Sequence, residues 1–254
     1  MERLAVLVAT ADPQIEAKTI TLLEQHAAEI RKAHSSFVAA SDVPKDFGRL
    51  TLARDLAIFT CFFILLHEVG HIVRCHPHFF RRKYGLSVYE EIPLAVAAGD
   101  LSRMRVAFEW EADEYAAITS YQILRTLHGH PHFHGIGELG ADHAWAISVS
   151  MTFALIAKLC GGNMLEESSS HPAAYHRYVW SMLSVEGAPE CKSFAPCADD
   201  LQKGFSDVMS WLKRNEIDAS LGATTPDLDS LFSGLQERYA SVRKALKGGV
   251  VIAR

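Results

Sequence analysis

Two histidines and a glutamate lie inside an otherwise apolar stretch, LLHEVGHIV, at residues 65–73. Polar side chains in such a stretch cost free energy unless they find partners, so the pattern favours a specific role for them. His67 and His71 are four residues apart, and a helix therefore places both imidazoles on one face, where they can bind one Zn²⁺. Glu68 can then take a proton from the attacking water and pass it to the leaving amine, and Gly70 allows another element to pack closely against this turn. The competing interpretation is a pair of histidines hydrogen-bonded in a core helix.

A hydrolytic zinc site needs a third protein ligand and one open position. The stretch FEWEADEYA, residues 108–116, offers Glu109 and Asp113, which are again four residues apart. We expect Glu109 to be the third ligand, with Glu111 as its competitor, and Asp113 to accept the N–H of a ligand histidine. A solvated acidic face is the alternative, but like charges at this spacing repel, and one bound cation would remove that cost. The sequence thus predicts one Zn²⁺ per chain.

The rest of the chain shows mainly helical patterns. Apolar residues at helical spacing predict helices over about 12–37, 50–76, 101–127, 143–160, 198–212 and 228–239, and the pair His171-Pro172 opens a further short helix. Residues 87–96 are compatible with a short strand. We therefore predict a mainly α, single-domain, zincin-like metallopeptidase over residues 1–254, with a motif core at about 50–180 and a helical C-terminal part at about 196–247.

Composition narrows the function classes. The 254 residues are 49% hydrophobic and 22% charged, as in ordinary globular domains, and the net charge of −5 argues against a nucleic-acid partner.

The apolar runs at 56–73 and 144–157 are interpreted as buried helices, since the first is interrupted by the HEVGH residues and the second is shorter than the ~20 residues of a membrane span. Without a signal-peptide pattern either, we expect a cytoplasmic protein with no membrane partner.

Five scattered cysteines give no support for an oxidising compartment. Cys61 and Cys160 lie in apolar runs and are interpreted as core residues, whereas Cys191 and Cys197 are close enough in sequence to pair. Four histidines alternate in the loop HGHPHFH, residues 128–134, which we interpret as a polar surface loop rather than a metal-binding tract.

Three motifs in order, HEVGHIVRCHP, EWEAD and HPAAYHR (171–177), carry a family resemblance. HEVGH followed on a later helix by EWEAD resembles the gluzincin metallopeptidases, and the HPxxxxR element is similar to the HtpX and CAAX-prenyl-protease branch. The Lit-like phage-exclusion peptidases are the closer resemblance, with HExxH and a nearby HP, an EREAD-like segment, and HPAAYxR. The motifs extend over about half of the chain, from Leu50 to Trp180.

The resemblance adds roles for two residues. It implies that His171 is catalytic, and a histidine near the metal can donate a hydrogen bond to the oxyanion of the tetrahedral intermediate. Arg177 would pair with an acid of EWEAD and hold the helix that carries the third ligand. Without the resemblance, the two residues are interpreted as a helix start with an incidental histidine and a surface arginine.

The function that these features predict is a zinc endopeptidase that cleaves one intracellular protein in phage defence. The resemblance implies a host translation factor, elongation factor Tu, as the target class, and a phage or host factor as the activator. One alternative is an ImmA-type regulatory protease that cleaves a repressor. Another is a non-catalytic zinc-binding interaction module, although structural zinc sites are usually Cys-rich and closed.

Overall fold

The computed structural model describes residues 46–84, 100–159, 173–214 and 237. The chain divides into two compact units, Met1–Leu50 and Thr51–Arg254. Helices account for 89% of the described residues, and no strand occurs among them, which confirms a mainly α fold. The single-domain assignment stays a prediction. The helices predicted at 12–37 and 228–239, the strand at 87–96, Cys160 and His171 lie outside the described residues.

Six α-helices make up most of the described part. They are α1 (Phe47–Val73), α2 (His76–Tyr84), α3 (Asp100–Leu127), α4 (Ala141–Leu159), α5 (Ala174–Gly187) and α6 (Ala198–Arg214). Short 3₁₀ turns at Pro131–Phe133, Ile136–Glu138 and Pro189–Phe194 connect α3 to α4 and α5 to α6. The predicted helices at 101–127, 143–160 and 198–212 agree with α3, α4 and α6.

The helix predicted over 50–76 is divided in two. Cys75 has a φ of 60°, in the left-handed region that ends helices, and Pro77 has no N–H with which to continue the hydrogen-bond ladder. The chain therefore turns at Arg74-Cys75, and α2 begins at His76 in a new direction.

The core is built around α3, which packs against α5 and α4, while α6 packs along α4. Alanines of α3 with no exposed surface let neighbouring helices come close, and aromatic residues fill the space between them. The largest fully buried side chains include Phe63, Tyr121, Trp145, Phe153 and Tyr178. Phe63 of α1 contacts Phe153 of α4 edge to face, with ring centroids 5.4 Å apart. This packing fixes the relative positions of α1, α3 and α5 at the candidate site.

Helix α1 buries only one face, which corrects the expectation of a wholly buried helix. The buried residues recur at helical spacing, as Asp55, Phe59, Phe63, His67 and Gly70 do. Another face exposes large apolar side chains, with Ile64 at 41%, Leu65 at 58% and Ile72 at 53% of their surface. Among the described residues, α1 is the one helix long and apolar enough to cross a membrane, with a mean hydropathy of 1.9 in its best window, and 22% of that window is buried.

Predictions were made for four cysteines, and the structure resolves three of them. Cys61 is exposed on α1, so its assignment to the core is wrong: it lies on the face of α1 opposite Phe63. Cys191 and Cys197 are both free thiols and do not pair. Burial raises the pKa of the Cys191 thiol to about 11, so this side chain is an inert part of the core.

Candidate metal centre

Two helices bring three metal-ligating side chains together. His67 and His71 lie one turn apart on α1, and their Nε2 atoms are 3.1 Å apart. Glu109 of α3 completes the group, with Oε2 at 3.4 Å from His67 Nε2 and Oε1 at 3.5 Å from His71 Nε2. The structure thus assembles the predicted set of His67, His71 and Glu109, with ligand atoms all within 4.8 Å of one another.

These separations fit a single small cation. Ligand atoms that each lie about 2.0–2.1 Å from a tetrahedral Zn²⁺ are about 3.4 Å from one another. The separations in the centre lie close to that spacing, at 3.1 Å between the two Nε2 atoms and at 3.4 and 3.5 Å from them to Oε2 and Oε1 of Glu109. The donor set and its geometry therefore fit a metal ion.

The second ring nitrogen of His67 is held by a carboxylate. His67 Nδ1 lies 2.9 Å from Asp113 Oδ1, and Asp113 is fully buried on α3. Arg177 of α5 binds Asp113 with both arms of its guanidinium, Nε to Oδ2 and Nη2 to Oδ1, each at 2.8 Å. A bidentate charged pair of this kind has a defined geometry and fixes the carboxylate. The proton of His67 is thereby directed to Nδ1, which leaves Nε2 facing the group.

Arg177 is a buried residue of the site. Its Nη2 also lies 3.2 Å from Glu109 Oε2, and its guanidinium carbon is 5.2 Å from the ring centroid of Phe153. The predicted pairing of Arg177 with an acid of EWEAD is thus observed, and the surface-arginine alternative is wrong. Helix α5 thus contributes Arg177 to the centre.

The second ring nitrogen of His71 has a different partner. His71 Nδ1 lies 2.9 Å from His76 Nδ1, and His76 Nε2 lies 3.0 Å from Glu111 Oε2. Glu111, the competitor for the third-ligand position, is therefore paired with His76, and Glu109 is the acid that lies with the two histidines. His76 is a site residue that the spacing of the motifs did not predict. Its signal in the sequence was the pair His76-Pro77, which follows the HEVGH motif after four residues.

Charge is concentrated and balanced at the centre. Burial would raise the pKa of Glu109, but its bond to His67 and the charge of Arg177 outweigh burial and hold that pKa well below its usual range. Burial also favours neutral Asp113, yet Arg177 and His67 keep its pKa low, so both acids are ionised. Two carboxylates beside one arginine leave one negative charge, which a protonated histidine or a bound cation can balance.

The two histidines differ in the metal-free state. Burial lowers the pKa of His67, but its bonds to Asp113 and Glu109 overcome this and raise the pKa to about 9. For His71, burial together with the charges of His67 and His76 lowers the pKa to about 4 despite the opposing influence of Glu109. At neutral pH the metal-free centre therefore holds a proton on His67 and a neutral His71.

Glu68 is the acidic residue of α1 that is adjacent in sequence to the centre. It is exposed, follows His67 directly, and lies on the face of α1 that also exposes Leu65 and Ile72. Its negative charge contributes to the raised pKa of Arg177, behind the larger effects of Asp113 and Glu109 that offset burial. An acid near the group but open to solvent is suited to exchange protons with a bound molecule.

Gly70 determines how closely α1 and α3 approach, as its position in the motif predicts. A Cβ at Gly70 would lie 3.1 Å from both Cα and the carbonyl oxygen of Ala112 and 3.3 Å from Cβ of Tyr115. Ala112 lies between Glu109 and Asp113 on α3, so this contact places both acids opposite the two histidines. Glycine is needed there for close approach and not for its backbone conformation.

The histidines of the 128–134 loop do not join the centre. His130, His132 and His134 are exposed, and the ring of His134 bonds the carbonyl oxygen of Pro131 within the same loop. Among the described residues, the group formed by His67, His71 and Glu109 is the one that could hold a metal ion.

Comparisons with protein-family models, with curated proteins and with solved structures found no match to this chain. The functional conclusion therefore depends on the geometry of the centre and on the motif resemblance.

Proposed function

We propose that this chain is a zinc-dependent endopeptidase that cleaves a specific intracellular protein. The observation that carries the proposal is the common orientation of His67 and His71. Each directs Nε2 towards Glu109, and each has its Nδ1 bonded to a neighbouring side chain. Histidine ligands of catalytic metals commonly have this arrangement, since the outer bond sets the tautomer and the ring orientation.

Zinc is the cation that this donor set suits best. Two imidazoles and one carboxylate match the three protein ligands of hydrolytic zinc sites, whereas Mg²⁺ and Ca²⁺ prefer oxygen ligands. Structural zinc sites usually have four protein ligands with several cysteines, and no cysteine belongs to this group. Three protein ligands leave one position open, which favours a catalytic role over a non-catalytic zinc module.

Each side chain of the centre has a proposed role. When bound, the metal would act as a Lewis acid for a carbonyl oxygen and would lower the pKa of water. Glu68 is the general base that accepts the proton of the attacking water and then donates it to the leaving amine. Asp113 and Arg177 hold His67 and Glu109 in place. His171 remains the proposed donor to the oxyanion, on the strength of the HPAAYHR resemblance.

Substrate and biological role are proposed from the resemblance to Lit-like peptidases. The motifs EWEAD and HPAAYHR favour a phage-exclusion peptidase over an ImmA-type repressor protease, which has a similar HExGH motif. We propose a host translation factor of the elongation factor Tu class as the substrate and a phage or host protein as the activator, with the enzyme acting in the cytoplasm. The exposed apolar residues next to Glu68 support a polypeptide substrate, since they offer apolar surface to its side chains.

Coexpression tests the proposal. The wild-type chain and Glu68→Gln are each expressed with candidate phage proteins, and new fragments of host proteins are identified by mass spectrometry. We expect a defined fragment with wild type and a loss of cleavage of about 10²–10⁴-fold with Glu68→Gln, because glutamine cannot accept the proton. Equal amounts of the fragment with both variants, at equal zinc content, would remove Glu68 from the mechanism. Cleavage of general substrates such as casein without any activator would contradict the proposed need for an activator.

A further inference from the structure

We infer that His76 and Glu111 form a positioning pair that fixes His71 as a metal ligand, an inference that rests on the proposed function. The pair extends the centre to α2 and to a second acid of α3. Asp113 places a carboxylate directly behind the ring of His67. The pair places the carboxylate of Glu111 behind the ring of His71, with the imidazole of His76 between them.

The geometry assigns a direction to each bond. His71 Nε2 faces the metal group, so its proton lies on Nδ1 and is donated to His76 Nδ1 over 2.9 Å. The remaining proton of His76 is on Nε2 and is donated to Glu111 Oε2 over 3.0 Å. Every nitrogen then has one role, as donor or as acceptor. A ligand histidine whose outer N–H is bonded in this way is a better-oriented and more basic ligand.

The surroundings of His76 hold its ring in the orientation that this chain of bonds needs. His76 is 2% exposed, and its ring stacks on Phe108, with centroids 4.2 Å apart and planes 13° apart. The turn at Arg74-Cys75 returns the chain towards His71, which brings the first residue of α2 against the ligand ring. Burial of a polar ring costs free energy unless both nitrogens are bonded, and here both are.

His76→Phe removes the acceptor while keeping an aromatic ring that can stack on Phe108. Zinc affinity is measured by competition with a chromogenic chelator, and thermal stability is measured on the metal-free protein. We expect His76→Phe to weaken zinc binding by about 10–100-fold. Glu111→Gln, which keeps the shape of the side chain but removes its charge, should weaken it by a smaller factor. The visible spectrum of the Co²⁺-substituted protein should change in both variants, which a purely structural role of the pair would not cause.

A double variant and a matched control separate this role from general destabilisation. If Glu111 acts through His76, adding Glu111→Gln to His76→Phe should cause no further loss of zinc affinity. His143 is a comparable control, because it is also a buried histidine bonded to an acid, with Nε2 at 2.8 Å from Asp207 Oδ2, but it lies outside the metal group. His143→Phe should leave zinc affinity unchanged.

The outcomes distinguish this inference from the proposed function. A wild-type protein that binds no zinc would overturn both. Zinc binding by the wild type, together with affinities within about twofold of wild type for His76→Phe and Glu111→Gln, would overturn the positioning pair alone. If His76→Phe destabilises the metal-free protein, Glu111→Gln decides alone, since the side chain of Glu111 is 19% exposed and tolerates the amide.

Discussion

Arg177 connects His67 and Glu109. Its guanidinium binds Asp113, which is bonded to His67, and it also contacts the carboxylate of Glu109. Arg177 lies 2.8 Å from both oxygens of Asp113 and 3.2 Å from Glu109. The arginine therefore neutralises two acids that would otherwise repel each other across one turn of α3. This arrangement predicts different consequences for removing the charge of each acid.

Glu109→Gln should reduce zinc binding more than Asp113→Asn. A neutral amide is a poor replacement for a ligand carboxylate, whereas the loss of a residue that orients a ligand typically costs about 10–100-fold in affinity or activity. Competition titrations with a chelator measure both variants against wild type. If Asp113→Asn loses more zinc than Glu109→Gln, the roles assigned to the two acids are reversed.

Zinc binding should release protons at neutral pH. The raised pKa of His67, about 9, means that the metal-free protein still holds this proton between pH 6.5 and 9, where an ordinary histidine has lost it. His71, with a pKa of about 4, is already neutral. Zinc requires both rings neutral, with Nε2 free of a proton, so about one proton should leave His67 per ion at pH 7.5, and affinity should rise with pH towards 9.

Calorimetry in buffers with different ionisation enthalpies counts these protons. Asp113→Asn provides the control, because Asp113 contributes to the high pKa of His67 and its loss should reduce the release. Equal proton release by wild type and Asp113→Asn would mean that the protons come from groups other than His67.

Close packing of α1 against α3 fixes these distances, and Gly70 makes this close packing possible. The absent side chain lets α1 contact the backbone of Ala112, and the spacing between histidines and acids follows from that contact. Gly70→Ala must move α3 by a few tenths of an ångström.

Gly70→Ala should lower the free energy of unfolding by about 1–3 kcal/mol, as overpacked positions do, and should weaken zinc binding as well. Gly137→Ala is the matched control, because a Cβ there meets nothing within 4 Å. Urea unfolding and zinc titration measure both effects. If Gly70→Ala binds zinc as tightly as wild type, the contact between α1 and α3 at this position does not determine the geometry of the centre.

Sequence periodicity was sufficient to predict the part of the centre that lies within helices. His67 and His71, and likewise Glu109 and Asp113, share a face because each pair is one turn apart, and this relation needs no tertiary information. His76 could not be predicted in the same way. Its position depends on a left-handed residue, Cys75, which ends α1 three residues earlier than the apolar pattern suggests. The exposure of one face of α1 likewise depends on which helices pack against it.

At the scale of the whole molecule, a bound cation would connect α1 to α3, and through Arg177 and His76 the centre also contacts α5 and α2. A ligand that binds only the folded state stabilises it, by about 4 kcal/mol when its free concentration is a thousand times the dissociation constant. For a chain of this size that corresponds to a rise in Tm of about 10 °C. Scanning calorimetry with and without a chelator measures the difference. A Tm that is unchanged after chelation would mean that the folded core does not depend on the metal.

Elemental analysis of the purified protein tests the metal assignment most directly. Wild type, Glu68→Gln and His71→Ala are purified in parallel without chelators, and their zinc content is measured by mass spectrometry. We predict about one zinc ion per chain for wild type and for Glu68→Gln, and a near-complete loss for His71→Ala, because the two remaining ligands bind weakly. Zinc in His71→Ala equal to that in wild type, or none in wild type after reconstitution, would contradict the metal centre of His67, His71 and Glu109.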